Sequence, residues 1–103
     1  MEPAGFIIAF AAADEAEILA LCVAPGHRRR GLARALLRKL AKQLAAHGIV
    51  RLHLEVRASN LAARELYARS GFVESGRRKG YYRGLDGAAA EDAITMARDT
   101  VGA

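Results

Sequence analysis

A carboxylate set in an apolar strand, a tyrosine far along a helix and an arginine-rich glycine turn are the features of this sequence that could carry chemistry. The carboxylate is Glu55, within Leu52–Asn60, LHLEVRASN. Leu52, Leu54 and Val56 alternate with His53, Glu55 and Arg57, so Glu55 lies on the polar face of a strand. Two readings are open: a surface carboxylate satisfied by Arg51 or Arg57, or a general base held near the sheet interior, where desolvation raises its pKa. Asn60 and Tyr67 are seven residues apart, which places them on nearly the same helix face. Read alone, Asn60 suits a helix N-cap, and Tyr67 suits a half-buried packing residue with its hydroxyl at water.

The glycine turn is Arg28-Arg29-Arg30-Gly31-Leu32-Ala33, between a strand and a helix. The first turn of a helix leaves backbone N–H groups unpaired and carries a partial positive charge. Gly31 admits a ligand close to the backbone, and Ala33 does so nearly as well. The segment therefore reads as a pyrophosphate cradle or as a solvated, RNA-facing surface. No Gly-Lys-Ser/Thr follows, so it is not a Walker A loop.

Composition narrows the setting. The net charge of +5 favours anionic partners, whether RNA, a phosphate-bearing cofactor or acidic peptides. The single cysteine, Cys22, rules out an internal disulfide, fits a reducing cytoplasm and reads as a buried apolar thiol. The apolar run Phe6–Ala13 lacks a signal-peptide layout, and Asp14, Glu15 and Glu17 interrupt it, so a soluble, cytoplasmic protein without a membrane span is expected. His27, His47 and His53 lack metal-ligand spacing, and no metal site is expected. Arg77-Arg78-Lys79 reads as a solvated cluster or a guide for an acidic partner. As strand neighbours, Tyr81 and Tyr82 are expected to face opposite sides, leaving one to line a peptide groove.

The elements that must position these residues follow from periodicity. Gly5–Ala13 and Glu17–Val23 read as antiparallel strands around an Asp14-Glu15-Ala16 turn, and Pro25-Gly26 ends the second. Gly31–His47 is helical, with Leu32, Ala33, Leu36, Leu37, Leu40 and Leu44 on the apolar stripe. Ile49–Arg57 is a strand, and Ser59 or Asn60 caps a helix running to Ser70. Phe72–Tyr82 and Asp92–Ala97 form a last strand pair. The fold class is α/β of the α+β type: one domain over residues 1–103, with a mixed, mostly antiparallel sheet in the order β-β-α-β-α-β-β and helices able to cover both faces.

R-x-x-G-x-A at 28–33, LEVRASN at 54–60 and LY-x-x-x-GF at 66–72 together resemble the GNAT superfamily of acetyl-CoA-dependent N-acetyltransferases. With Arg77-Arg78-x-x-Tyr81-Tyr82 and Glu91-Asp92-Ala93-Ile94-x-Met96, the chain is similar to the bacterial ribosomal-protein-alanine N-acetyltransferases. The resemblance implies acetyl-CoA as co-substrate and a protein N-terminus, plausibly a ribosomal N-terminal alanine, as acceptor. Nucleic acid is not the expected partner. Leu21, Cys22 and Val23 would lie along the acetyl-pantetheine arm, with the Val23 N–H polarising the thioester carbonyl. Arg28, Arg29, Arg30, Gly31, Leu32, Ala33 and Arg34 would surround the pyrophosphate, mainly through main-chain donors. Asn60 would contact the cofactor, Glu55 would accept the amine proton, and Tyr67 would protonate the departing thiolate, in direct transfer through a ternary complex.

The resemblance also implies a departure. The family's usual opening strand, two helices and strand have no counterpart before Gly5, and those helices normally wall the acceptor groove. The first strand would then present an uncovered edge, and self-association, as a homodimer, or reliance on another chain is expected. The alternatives are an acetyltransferase for a small amine or lysine, and a basic RNA- or ribosome-associated module with weak catalysis.

Overall fold

The computed structural model describes residues 4–27, 31–82, 84 and 89–101. Its elements are β1 (Gly5–Ala12), β2 (Glu15–Val23), a short 3-10 turn (Pro25–His27), α1 (Leu32–Ala46), β3 (Arg51–Arg57), α2 (Leu61–Arg69), β4 (Val73–Tyr82) and β5 (Glu91–Asp99). One five-stranded sheet runs in the order β1-β2-β3-β5-β4, with β2 and β3 parallel and the other neighbours antiparallel. The mixed sheet and the order of elements follow the expectation from periodicity. Most of the segment linking β4 to β5 lies outside the described residues.

The β1–β2 turn sits earlier than the acidic residues suggest. Ala12 pairs with Glu15, so Ala13 and Asp14 form a two-residue hairpin loop, with Ala13 at φ 55. Glu15 and Glu17 belong to β2, because they alternate with buried Ala16 and Ile18 and face solvent. Further along β2 the alternation slips. Ala9 pairs with Ile18 and Ile8 with Ala20, leaving Leu19 as an extra residue, a β-bulge. Beyond it Leu21 packs against the core and Cys22 is exposed. The expectation of a buried Cys22 is thereby overturned: one inserted residue moves it to the outer face.

The core joins Leu37 of α1, Leu52, Leu54 and Val56 of β3, Ile94 and Met96 of β5, and Phe72 after α2. Leu40 and Leu44 of α1 and Ala63, Leu66 and Tyr67 of α2 pack onto it. Both helices therefore cover the same sheet face, although a mixed sheet would let them cover either. The reason is the alternation on the sheet, which gives His53 and Glu55 to the other face. That face also carries Phe6, Ile8 and Phe10 of β1, 47%, 50% and 62% exposed. Ile49 and Val50 precede β3 and are fixed by Thr100, whose hydroxyl donates to the Ile49 carbonyl (2.6 Å) and whose N–H donates to that of Val50 (3.0 Å). No helix among the described residues is long and apolar enough to cross a membrane.

Candidate functional site

The site begins with what β3 does on its two sides. With β5 it forms a continuous register from Arg51↔Asp99 to Arg57↔Ala93. With β2 the register runs only from Glu15↔Arg51 to Glu17↔His53. Past that point the parallel strands part, and the seam between Ile18–Val23 and Leu54–Arg57 opens toward their C-terminal ends. The α1 start follows β2 and the α2 start follows β3, so both helix N-termini stand at the open end. Crevices at the carboxyl ends of parallel strands are where open α/β sheets bind ligands.

At that end Gly31 is the N-cap of α1, left-handed at φ 72, ψ 9, with no side chain capping the helix. A Cβ built on Gly31 meets nothing within 4 Å, so glycine is required here by conformation and the approach to the first turn is open. Leu32 and Ala33 are half-buried, and their N–H groups belong to the first-turn set that lacks intrahelical acceptors. The Arg34 side chain turns away from the cradle, its Nη2 donating to the Arg69 carbonyl at 3.4 Å. Arg28, Arg29 and Arg30 lie outside the described residues. Leu21 and Val23 are half-buried on β2, on the opposite strand face from Cys22. Asn60 caps α2, its side-chain oxygen accepting the Ala63 N–H at 3.2 Å. This cradle fits a pyrophosphate: open main-chain donors at a helix N-terminus and no acidic side chain in the first turn of α1.

Glu55 faces the side of the sheet opposite the helices, with its side chain 20% exposed. Its ion-pair partner is Arg78 of β4 (Nε to Oε1, 3.3 Å), not Arg51 or Arg57. Arg51 is held by Asp99 at 3.1 Å and Arg57 by Glu91 at 3.4 Å. His53 turns to Glu15, with Nε2 and Oε1 2.6 Å apart, and so does not orient Glu55.

An aromatic corner stands beside this carboxylate. The Arg57 guanidinium lies 4.1 Å from the Tyr82 ring centroid and that of Arg78 lies 5.0 Å from Tyr81. The two tyrosine rings meet edge to face at 5.2 Å, so they do not point to opposite sides. The cause is an irregularity in β4 between Arg78 and Tyr82, where Gly80 takes φ 62 and donates its N–H to Asp92 (2.8 Å). Burial raises the Tyr82 pKa, and the charge of Glu55 adds to it. Hydrogen bonds from Ser59 and the nearby Arg57 hold the Glu91 carboxyl below its usual range.

Tyr67 packs edge to face on Phe72, with centroids 5.9 Å apart, and burial raises its pKa. The structure thus gathers Glu55, Arg57, Arg78, Tyr81 and Tyr82 on the helix-free face and puts Gly31 and Asn60 at the mouth of the open seam. Arg78 and Tyr82 are the neighbours of Glu55 that strand alternation alone did not single out. Among the described residues no group of three His, Cys, Asp or Glu side chains is arranged to hold a metal ion.

The sequence profile of the acetyltransferase (GNAT) family matches residues 2–72. The chain is 47% identical over 94 residues to the [ribosomal protein bS18]-alanine N-acetyltransferase of Escherichia coli K12, an alignment covering 91% of this chain. It spans 62% of the length of that enzyme. The crystal structure of the ribosomal-protein-S18-alanine N-acetyltransferase from Escherichia coli superposes with a TM-score of 0.84 at 44% identity, covering 97% of this chain and 63% of the other. A Bacillus anthracis protein assigned as a streptothricin acetyltransferase, solved in complex with acetyl coenzyme A, superposes at 0.82 and 26% identity, covering 92% and 54%.

Proposed function

From its place in the acetyltransferase (GNAT) family, to which this chain belongs, we propose that it is an acetyl-CoA-dependent N-acetyltransferase acting on the N-terminal alanine of a ribosomal protein. The observation that carries this reading is the β2–β3 seam, opened beyond Glu17 and His53, with the uncapped start of α1 at its mouth. The acceptor follows from the alanine N-acetyltransferase to which the chain is similar across nine-tenths of its length, and the cytoplasm is the corresponding compartment.

Acetyl-CoA, when bound, supplies the acetyl group as a thioester. The main-chain donors of Gly31–Arg34, with Arg28–Arg30 before them, hold its pyrophosphate, Asn60 contacts it, and the backbone of Leu21–Val23 lines the arm. An α-amino group of pKa about 8 is mostly protonated at neutral pH, so its lone pair must be freed before attack. Glu55 accepts that proton, directly or through water. The amine nitrogen then bonds the acetyl carbon as the carbon–sulfur bond breaks. Tyr67, kept protonated by its burial, gives its proton to the leaving sulfur. Transfer is direct, without an acetyl-enzyme.

The test is acetyl-CoA turnover against a panel of N-terminal peptides, read by thiol release and peptide mass. Acetylation of alanine-initiated peptides in preference to lysine side chains or small amines is expected. Acetyl-CoA binding without transfer to any amine would overturn the reading. The exposed row Phe6, Ile8 and Phe10 supports the further proposal that this face is covered by self-association or by another chain. Light scattering tests the first, and a monomer at assay concentration counts against it.

A further inference from the structure

The positive charge of this protein is divided unevenly. On the sheet and α2 the described arginines other than Arg98 are neutralised: Arg51 by Asp99, Arg57 by Glu91, Arg64 by Glu74, Arg69 by Glu65, Arg77 by Asp92 and Arg78 by Glu55. Helix α1 differs. It carries Arg34, Arg38, Lys39 and Lys42 and no acidic residue, and among the described residues none of these four has an acidic partner. Arg34, Arg38 and Lys42 recur every fourth residue, which aligns them on one helix face about 6 Å apart along the axis. Like charges at this spacing repel, so the row disfavours the free helix and is relieved by an anion between its members.

The row forms one wall of a cleft of about 450 Å³, closed on the other side by the Ala68–Gly71 end of α2 and by Arg98. Two of its cations are anchored at the carbonyls of that helix end. Arg34 donates to Arg69 through Nη2, and Arg98 donates to Ser70 through Nη1 and to the Asp99 carbonyl through Nε, both at 2.8 Å. The remaining guanidinium donors, with Arg38 and Lys42, face a concave surface that no acidic side chain among the described residues lines.

We propose that this cleft is a docking surface for the phosphodiester backbone of a nucleic-acid strand. Arginine forks match phosphate oxygens in pairs, and a regular cationic row suits a polyanion better than a single small anion. Among the described residues the lining has no aromatic ring for stacking bases and no large apolar side chain for entering a membrane. Contact is therefore with the backbone and independent of sequence. The cleft lies on the helix-covered side, whereas Glu55 faces the other side, so the surface does not depend on the proposed transfer reaction. It places the nucleic-acid-binding charge on α1 and the end of α2, not on the Arg28–Arg30 turn.

The experiment is fluorescence anisotropy of the full chain with a short labelled single-stranded RNA over a range of salt. Saturable binding is expected, with log K falling against log salt by roughly 0.7 per phosphate engaged, hence a slope of about −2 to −3. R38A/K42A should weaken binding about tenfold and flatten that slope by roughly 1.4. K39A/K79A removes the same charge outside the cleft and should leave both nearly unchanged. R38K/K42R should retain binding, and circular dichroism melts of all three variants establish that they fold. Absent RNA binding overturns the proposal. So does equal weakening by the two alanine pairs, which would reduce the effect to net charge. Polyglutamate or anionic vesicles competing as well as RNA would assign the cleft to another anion. A raised acetyl-CoA KM in R38A/K42A with RNA binding intact would assign it to the cofactor's phosphates.

Discussion

Strand β3 has two neighbours and treats them differently. Toward β5 every residue from Arg51 to Arg57 has a partner, and the inward side chains Leu52, Leu54, Ile94 and Met96 are buried. Toward β2 the pairing stops after His53, and the backbones diverge where the chemistry is expected. The closed seam supplies rigidity that the open seam lacks, and the same strand presents Glu55 from it. A carboxylate proposed as the base can therefore sit beside a gap without losing its position, because the opposite edge of its strand is fully laddered.

The largest separation of the two seams should come from Glu55→Gln. It leaves the β5 ladder intact, so the fold should hold, while turnover falls by about 10²–10⁴ with little change in acetyl-CoA KM. Steady-state kinetics beside a thermal melt would read both. An unchanged kcat would remove Glu55 from the reaction. Leu52→Ala attacks the closed seam instead. Loss of a fully buried leucine should cost about 2–5 kcal/mol, measured by denaturant midpoint. If the contrast holds, cofactor affinity per folded molecule changes little.

Gly31→Val acts at the mouth. Its Cβ has room, so the penalty comes from φ 72, worth roughly 1–3 kcal/mol, and should appear mainly as a raised acetyl-CoA KM. Tyr67→Phe should slow transfer by a smaller factor than Glu55→Gln. It also carries a pH signature. Burial raises the tyrosine pKa above 10.0 in the folded chain, so the unfolded chain loses this proton first as pH rises. The fold should then lose stability above about pH 10, and the phenylalanine variant should lose part of that dependence in alkaline melts. The smallest effect belongs to Cys22→Ser, which should leave turnover near normal. Its loss of activity, with a captured acetyl-cysteine in the parent, would replace direct transfer by a covalent route.

The helices and β3 were legible in the sequence because their periodicity is clear. The leucines of α1 recur at helical spacing, and Leu52, Leu54 and Val56 alternate with polar residues. The phase of β2 was not legible. EAEILALCV is apolar through most of its length, so nothing in it marks Leu19 as the extra residue or Cys22 as exposed. The arginines of its own strand are the partners that sequence offers Glu55, but each of those has an acid on β5. Arg78 arrives from β4, two strands away in the sheet, through the long side chain of a residue paired with Ala93. The tyrosine pair defeated alternation for a local reason, since the Gly80–Asp92 bond bends the strand between them and the preceding arginine. The parting of β2 from β3 is a property of two distant segments, and no window of either one contains it.

The bulge at Leu19 makes β2 more tolerant of a lost residue than β3 is. Leu19 is exposed and has no pairing partner on β1, so replacing it with another side chain should disturb little. Removing it straightens the strand: Ala20 then follows inward Ile18, and Leu21 and Val23 still face inward with Cys22 outward. In a library of single-residue changes this position should accept nearly every letter and its own absence as well, whereas a deletion within β3, whose register holds no spare residue, should reverse the faces beyond it.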